Sequence, residues 1–185
     1  MIYNNFNIAN ILSIFRMFSG FPLIICLENM NHNPIYMYYS IWIVIFIVLS
    51  DVLDGFFARK FKYVTSFGKT IDPVADKICL MCVLIYLIDT YQLTFLIFFI
   101  LLSIRDVVLI SFTVFLALYK DIITQANGWG KFFIFVTMIM LLFHIYNLNY
   151  YIACILYVLS TILLIISMIV YIRENIEKIN SNENI

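Results

Sequence analysis

Long apolar runs separated by brief polar stretches set the layout of this 185-residue chain. A helix that crosses a bilayer needs about 20 apolar residues. The first such run covers Ile8 to Leu27 and is interrupted by Arg16. The second covers Ile35 to about Phe57, and residues 29 to 50 carry no charge. A third starts near Lys69 and ends near Asp89, and a fourth runs from Leu93 to Tyr119 with Arg105 and Asp106 in its middle. Between Lys131 and Arg173 lie 41 uncharged residues, too many for one crossing and suited to two. The polar-aromatic patch "HIYNLNYY", His144 to Tyr151, is the natural break between them. The pattern predicts an all-α integral membrane protein with six transmembrane helices, and it contains no internal repeat.

Composition supports that class. Hydrophobic residues make up 64% and charged residues 12% of the chain, with a mean hydropathy of +1.02. The charged share is about half that of a soluble domain. The formal net charge of zero gives no basic surface for nucleic acid. Basic residues orient the helices, because Lys and Arg collect in cytoplasmic loops. The connections "ENMNHNP", "DTYQLT" and the 5–6 break hold none, whereas Arg59, Lys60 and Lys62 lie between spans two and three and Lys120 between four and five. Both termini are therefore expected in the cytoplasm, with the protein in the cytoplasmic membrane. Residues 1–175 read as one membrane domain and 176–185 as a polar, fraying cytoplasmic tail. The start lacks a basic n-region and a small-residue cleavage site, so no cleaved signal peptide is expected. Cys79 and Cys82 form a C-x-x-C, which reads as two small buried residues in a helix rather than as redox or metal chemistry.

One stretch resists the apolar pattern. "DVLDGFFARKFKYVTSFGKTIDPVADK", Asp51 to Lys77, packs four aspartates and five basic residues into 27 positions. Asp51 and Asp54 are three apart at the cytoplasmic end of the second span; Asp72 and Asp76 are four apart in the first turns of the third. Such spacings put each pair on one helical face, and consecutive antiparallel helices let the two pairs converge. Four carboxylates raise one another's pKa, and each costs about 3 kcal/mol at a helix centre on insertion scales, less near the interface. A divalent cation resolves the conflict. Oxygen donors without His or Cys suit Mg²⁺, Mn²⁺ or Ca²⁺. The two histidines, His32 and His144, map to the other side of the membrane. Gly55 permits close approach to the backbone, Ala58 keeps that wall low, and Arg59, one turn on, can fork onto a phosphate. Gly68 is expected just before the third helix, where Lys69 and unpaired N–H groups favour an anion. Together these suit a diphosphate substrate held by metals that stabilise the leaving phosphate. A carboxylate would take the proton of an attacking alcohol, and Asp76 is the deepest of the set.

The same residues spell D-x2-D-G-x2-A-R-x8-G-x3-D-x3-D, as Asp51, Asp54, Gly55, Ala58, Arg59, Gly68, Asp72 and Asp76. This resembles the signature of the CDP-alcohol phosphatidyltransferases, with every spacing kept. The resemblance implies two Mg²⁺ or Mn²⁺ ions held by Asp51, Asp54, Asp72 and Asp76, with Asp76 also the proton acceptor. It implies CDP binding by Gly55, Arg59, Thr65 and Gly68, together with Asn10, and a homodimer. The reaction would be attack of an alcohol on CDP-diacylglycerol with release of CMP. The wording is similar to that of members whose acceptor is glycerol 3-phosphate. Their N-terminal N-x-x-N-x-L-T-x-x-R has counterparts in Asn10, Ser13 and Arg16, with Ser for Thr. "SIRDVVLIS" resembles their Arg-Glu-Ile-Ile segment with Asp106 for Glu. Of their G-K-x-K-T on the fifth helix, Gly130 and Lys131 remain. A phosphorylated acceptor needs cations, and Arg105, Lys131 and Arg16 are the candidates. Other acceptors stay open: phosphatidylglycerol, inositol phosphate or serine. Outside the class, a cation transporter would use the carboxylates but has no use for Gly55, Arg59 and Gly68.

Overall fold

The computed structural model describes the backbone of residues 8–61, 66–119 and 128–182, and the side chains of 11–51, 53, 71–118, 128–177 and 179. All regular structure among these residues is α-helical: α1 (Ile8–Asn29), α2 (Ile35–Phe61), α3 (Ser66–Tyr91), α4 (Leu93–Tyr119), α5 (Gly128–Ile145) and α6 (Tyr150–Asn182). Four helices hold apolar stretches long enough to cross a bilayer: Ile11–Asn29, Leu93–Leu118, Gly128–Ile145 and Tyr150–Glu177. In α2 the described apolar run is shorter, Ile35–Asp51. With the family assignment given below, this makes the chain an integral membrane protein.

The helix boundaries follow local chemistry. Asn33 caps α2: its Oδ1 accepts the Ile35 N–H at 3.0 Å, and Pro34 follows at the position where a missing N–H costs nothing. Gln92, at φ 48°, is the one-residue break between α3 and α4. The "NLN" after α5 supplies both signals of a tight reversal. Asn147 takes the left-handed conformation, φ 47°, and Leu148 N–H returns to the Phe143 carbonyl at 3.2 Å, the closure of a Schellman turn. Asn149 then caps α6 by accepting the Ile152 N–H at 3.2 Å. Two ends differ from the sequence expectation. The third helix starts at Ser66, so Gly68 lies inside its first turn rather than ahead of it. First-turn N–H groups lack intrahelical partners anyway, so a glycine is tolerated there. At the other end α6 continues to Asn182 through the polar run expected to fray. Arg173 and Glu177, four apart and 2.9 Å from each other, pair along its surface.

The chain divides into two compact units, Met1–Thr90 and Tyr91–Ile185. In the first, α1 buries Ser13, Arg16, Ser19, Gly20, Leu23 and Leu27, a stripe at three- and four-residue spacing along one face. On α3, Ala75, Cys79, Cys82 and Tyr86 repeat the pattern. The small residues let these backbones approach closely, as helices without a hydrophobic driving force between them require. The Cys79 thiol donates to the Arg16 carbonyl at 3.1 Å, and Ser19 Oγ donates to the same carbonyl at 2.6 Å. Both cysteines of the C-x-x-C are free thiols in this contact.

In the second unit, α6 packs against α5 and α4. Thr137 and Ser160 join hydroxyls across α5 and α6 at 2.7 Å; Thr113 and Tyr171 do so across α4 and α6 at 2.6 Å. His144 is buried among Tyr91, Phe95 and Tyr157. Its Nδ1 is 2.8 Å from the Met140 carbonyl. Large apolar side chains such as Phe15, Trp42 and Leu118 face outward, as a lipid-facing surface demands.

The α1–α3 contact gives a direct test. A Cβ on Gly20 would stand 2.7 Å from Cys82 Sγ and 3.4 Å from Cys82 Cβ. Gly20→Ala is expected to lower the melting temperature of the detergent-purified protein, with an overpacking cost of about 1–3 kcal/mol. Adding Cys82→Ala removes the clashing sulfur and is expected to restore part of the loss. Strictly additive destabilisation would show that the two positions do not touch.

Candidate active site

The first unit gathers three of the four signature aspartates around one arginine. Asp51 comes from α2, Asp72 and Asp76 from α3, and Arg16 from the buried stripe of α1. Arg16 Nη1 donates to Asp51 Oδ1 and lies 3.0 Å from Asp76 Oδ1. Nη2 lies 3.9 Å from Asp72 Oδ1. Ser13, one turn before Arg16, donates its hydroxyl to Asp72 Oδ1. The convergence that the three- and four-residue spacings predict is therefore present for the described acids.

Exposure within the cluster is asymmetric. The Arg16 side chain is 0% exposed, whereas Asp51 and Asp76 are 57% and 55% open, and Asp72 is 43% open. The cation closes the back of the site and the carboxylates form its accessible face. A guanidinium stays charged at any physiological pH, and a buried permanent charge survives only with partners. The three acids meet that demand. Among the described residues they carry three formal negative charges against the one positive charge of Arg16, a net negative balance. Hard oxygen donors with this residual charge fit Mg²⁺ or Mn²⁺ by ligand chemistry. Among the described residues, which leave out the Asp54 side chain, no group of three or more His, Cys, Asp or Glu side chains is placed to hold a metal ion.

The remaining predicted residues are divided between the two units. Asn10 is in α1; Asp54, Gly55, Ala58 and Arg59 are in the last turns of α2; Gly68 and Lys69 are in the first turn of α3. Their side chains, and Thr65 altogether, lie outside the described residues. Arg105 and Lys131 belong to the second unit. Arg105, 8% exposed, donates from Nε to Ser167 Oγ at 3.1 Å and from Nη1 to Asp106 at 3.0 Å. Its guanidinium carbon lies 4.8 Å from the centre of the Phe133 ring. Lys131 is exposed on the first turn of α5. Arg16, the third candidate for the acceptor phosphate, lies in the first unit among the aspartates. The signal available in the sequence was its depth. Arg16 lies about two turns into α1, and an antiparallel neighbour reaches that depth near Asp51.

These features define a helical membrane protein with an acidic, arginine-backed site on its second and third helices. A family model for CDP-alcohol phosphatidyltransferase matches residues 6–173, and the chain belongs to that family. Among curated relatives, one from Mycoplasma pneumoniae is 39% identical over 141 residues, 67% of this chain and 61% of that protein. One from Mycoplasma genitalium is 33% identical over 153 residues, 74% of this chain and 63% of that protein. One from Aquifex aeolicus is 34% identical over 143 residues, 70% of this chain and 79% of that protein. All three are named CDP-diacylglycerol–glycerol-3-phosphate 3-phosphatidyltransferase. The chain thus matches about three fifths of the length of the two Mycoplasma relatives.

Proposed function

We propose that this protein transfers the phosphatidyl group of CDP-diacylglycerol to glycerol 3-phosphate, giving phosphatidylglycerophosphate and CMP. The observation that carries the reading is the convergence of Asp51, Asp72 and Asp76, half-open, in the order and spacing of the family signature. The names of the relatives supply the acceptor. All six helices cross the cytoplasmic membrane. Both termini and the aspartates face the cytoplasm, an orientation that rests on the Lys and Arg of the 2–3 and 4–5 connections. The working form is a homodimer.

Asp51, Asp54, Asp72 and Asp76 hold two Mg²⁺ or Mn²⁺ ions, which supply charge neutralisation for the diphosphate and its leaving group. Gly55, Arg59, Thr65, Gly68 and Asn10 bind the CDP portion. Asp76 accepts the proton of the attacking hydroxyl. The new bond joins that oxygen to the phosphorus of the phosphatidyl group; the bridging P–O bond breaks, and its electron pair leaves with CMP. Arg105 and Lys131 serve the acceptor phosphate, since a phosphorylated alcohol needs fixed cations. The fifth helix keeps Gly130 and Lys131 but reads "GKFFIF". For that reason other acceptors belong in the test.

CMP release by the purified protein with CDP-diacylglycerol and Mg²⁺ or Mn²⁺ is expected with glycerol 3-phosphate. It is not expected with phosphatidylglycerol, inositol phosphate or serine. Turnover with one of those instead would keep the chemistry and reassign the acceptor. No turnover with any acceptor, in protein that still binds Mn²⁺, would favour an ion-transport role. Asp76→Asn is expected to lower turnover by about 10²-fold or more, the scale of a lost general base, while binding of CDP-diacylglycerol persists. Full activity in that variant would remove Asp76 from the proton-accepting role.

A further inference from the structure

Arg16 touches all three described signature aspartates. It reaches them from α1, a helix that contributes no carboxylate to the set. Its position is fixed from behind. Ser19 Oγ and the Cys79 thiol both donate to its carbonyl, and the Gly20–Cys82 contact brings α1 against α3. The guanidinium thus arrives at the acids by construction of the helix pair. Ser13 adds a hydroxyl to Asp72 from the same face.

A permanent positive charge in that place has two opposed effects. Without a divalent ion, it relieves the repulsion among carboxylates that would otherwise drive α2 and α3 apart. With one, it lies within contact distance of the same oxygens and repels the incoming cation. We propose that Arg16 is a tethered counter-ion, a positioning residue that keeps the aspartates assembled before metal binds and competes with the metal for them. This inference rests on the reading that the aspartates hold a divalent cation. It assigns Arg16 a role distinct from gripping the acceptor phosphate. Occupancy of the site is then a balance between a built-in monovalent charge and a soluble divalent one. The aspartates remain converged when the ions depart.

The test compares wild type, Arg16→Gln, Arg16→Lys and Asp72→Asn, each as the full chain in detergent. Mn²⁺ affinity is read from the free-ion paramagnetic resonance signal, and thermal unfolding is followed in EDTA and in saturating Mn²⁺. Arg16→Gln is expected to bind Mn²⁺ tighter, on the order of tenfold, once the competing charge at contact distance is removed and solvent screening is allowed for. It is also expected to melt lower than wild type in EDTA, with the gap narrowing in Mn²⁺. Arg16→Lys keeps the charge and loses the fork, so its Mn²⁺ affinity is expected to match wild type. Equal or weaker Mn²⁺ binding by Arg16→Gln overturns the inference, and so does tighter binding by Arg16→Lys. If Arg16→Gln folds only with Mn²⁺ present, that dependence is itself the assembly defect expected, and Arg16→Lys decides the competition. Asp72→Asn separates the two levels of the argument. Wild type and Asp72→Asn binding Mn²⁺ alike would sink the metal reading itself, whereas loss confined to Asp72→Asn leaves that reading standing whatever Arg16 does.

Discussion

The site depends on one buried charge meeting three that cannot be neutralised by water alone. Arg16 is closed off completely, and Asp51, Asp72 and Asp76 close around it from two other helices. Each side of that contact makes the other affordable. An isolated guanidinium in an apolar bundle is costly, and so are converging carboxylates. The contact also ties α1 to α2 and α3, so the helix without a carboxylate becomes the one that sets where the carboxylates meet. Small residues at Gly20, Cys79 and Cys82 keep α1 and α3 close enough for the guanidinium to reach.

Chemistry then follows from which half of the cluster is open. The arginine is the wall, and the acids are the accessible face. A site with the reverse exposure would present a cation outward and bind an anion directly. Among the described residues the accessible charge is negative; in the proposed reaction a diphosphate would approach it with metal between, so metal dependence and CDP-lipid chemistry belong to one proposal. Arg105 has another character. It is bonded to Ser167 and Asp106 and stacked on Phe133, so its charge is already partly matched within the second unit.

Much of this was legible in the chain because membranes enforce simple rules. Apolar run length located all six helices. The break between the last two falls at Tyr146–Asn149 because Asn147 and Asn149 supply the turn and the cap. The convergence of Asp51 with Asp72 and Asp76 followed from helical spacing. What stayed hidden were contacts between helices distant in sequence. Ser13 and Asp72 are 59 positions apart and Arg16 and Asp51 are 35 apart, and no local pattern reports such pairs. The sequence marks Arg16 as an intramembrane arginine, and the contacts that hold it among the aspartates come only from the fold. Gly68 is expected ahead of α3, but the helix starts at Ser66, since a first-turn glycine is tolerated. The polar tail is expected to fray, yet α6 continues to Asn182, with Arg173 and Glu177 paired along its surface.

The most direct measurement of the central claim is the anomalous scattering of Mn²⁺ in crystals of the full chain. The account predicts metal peaks against the carboxylates of Asp51, Asp72 and Asp76, at coordination distances of about 2.0–2.6 Å, with the Arg16 guanidinium behind them. Mn²⁺ bound elsewhere, with these aspartates holding only Arg16, would contradict it.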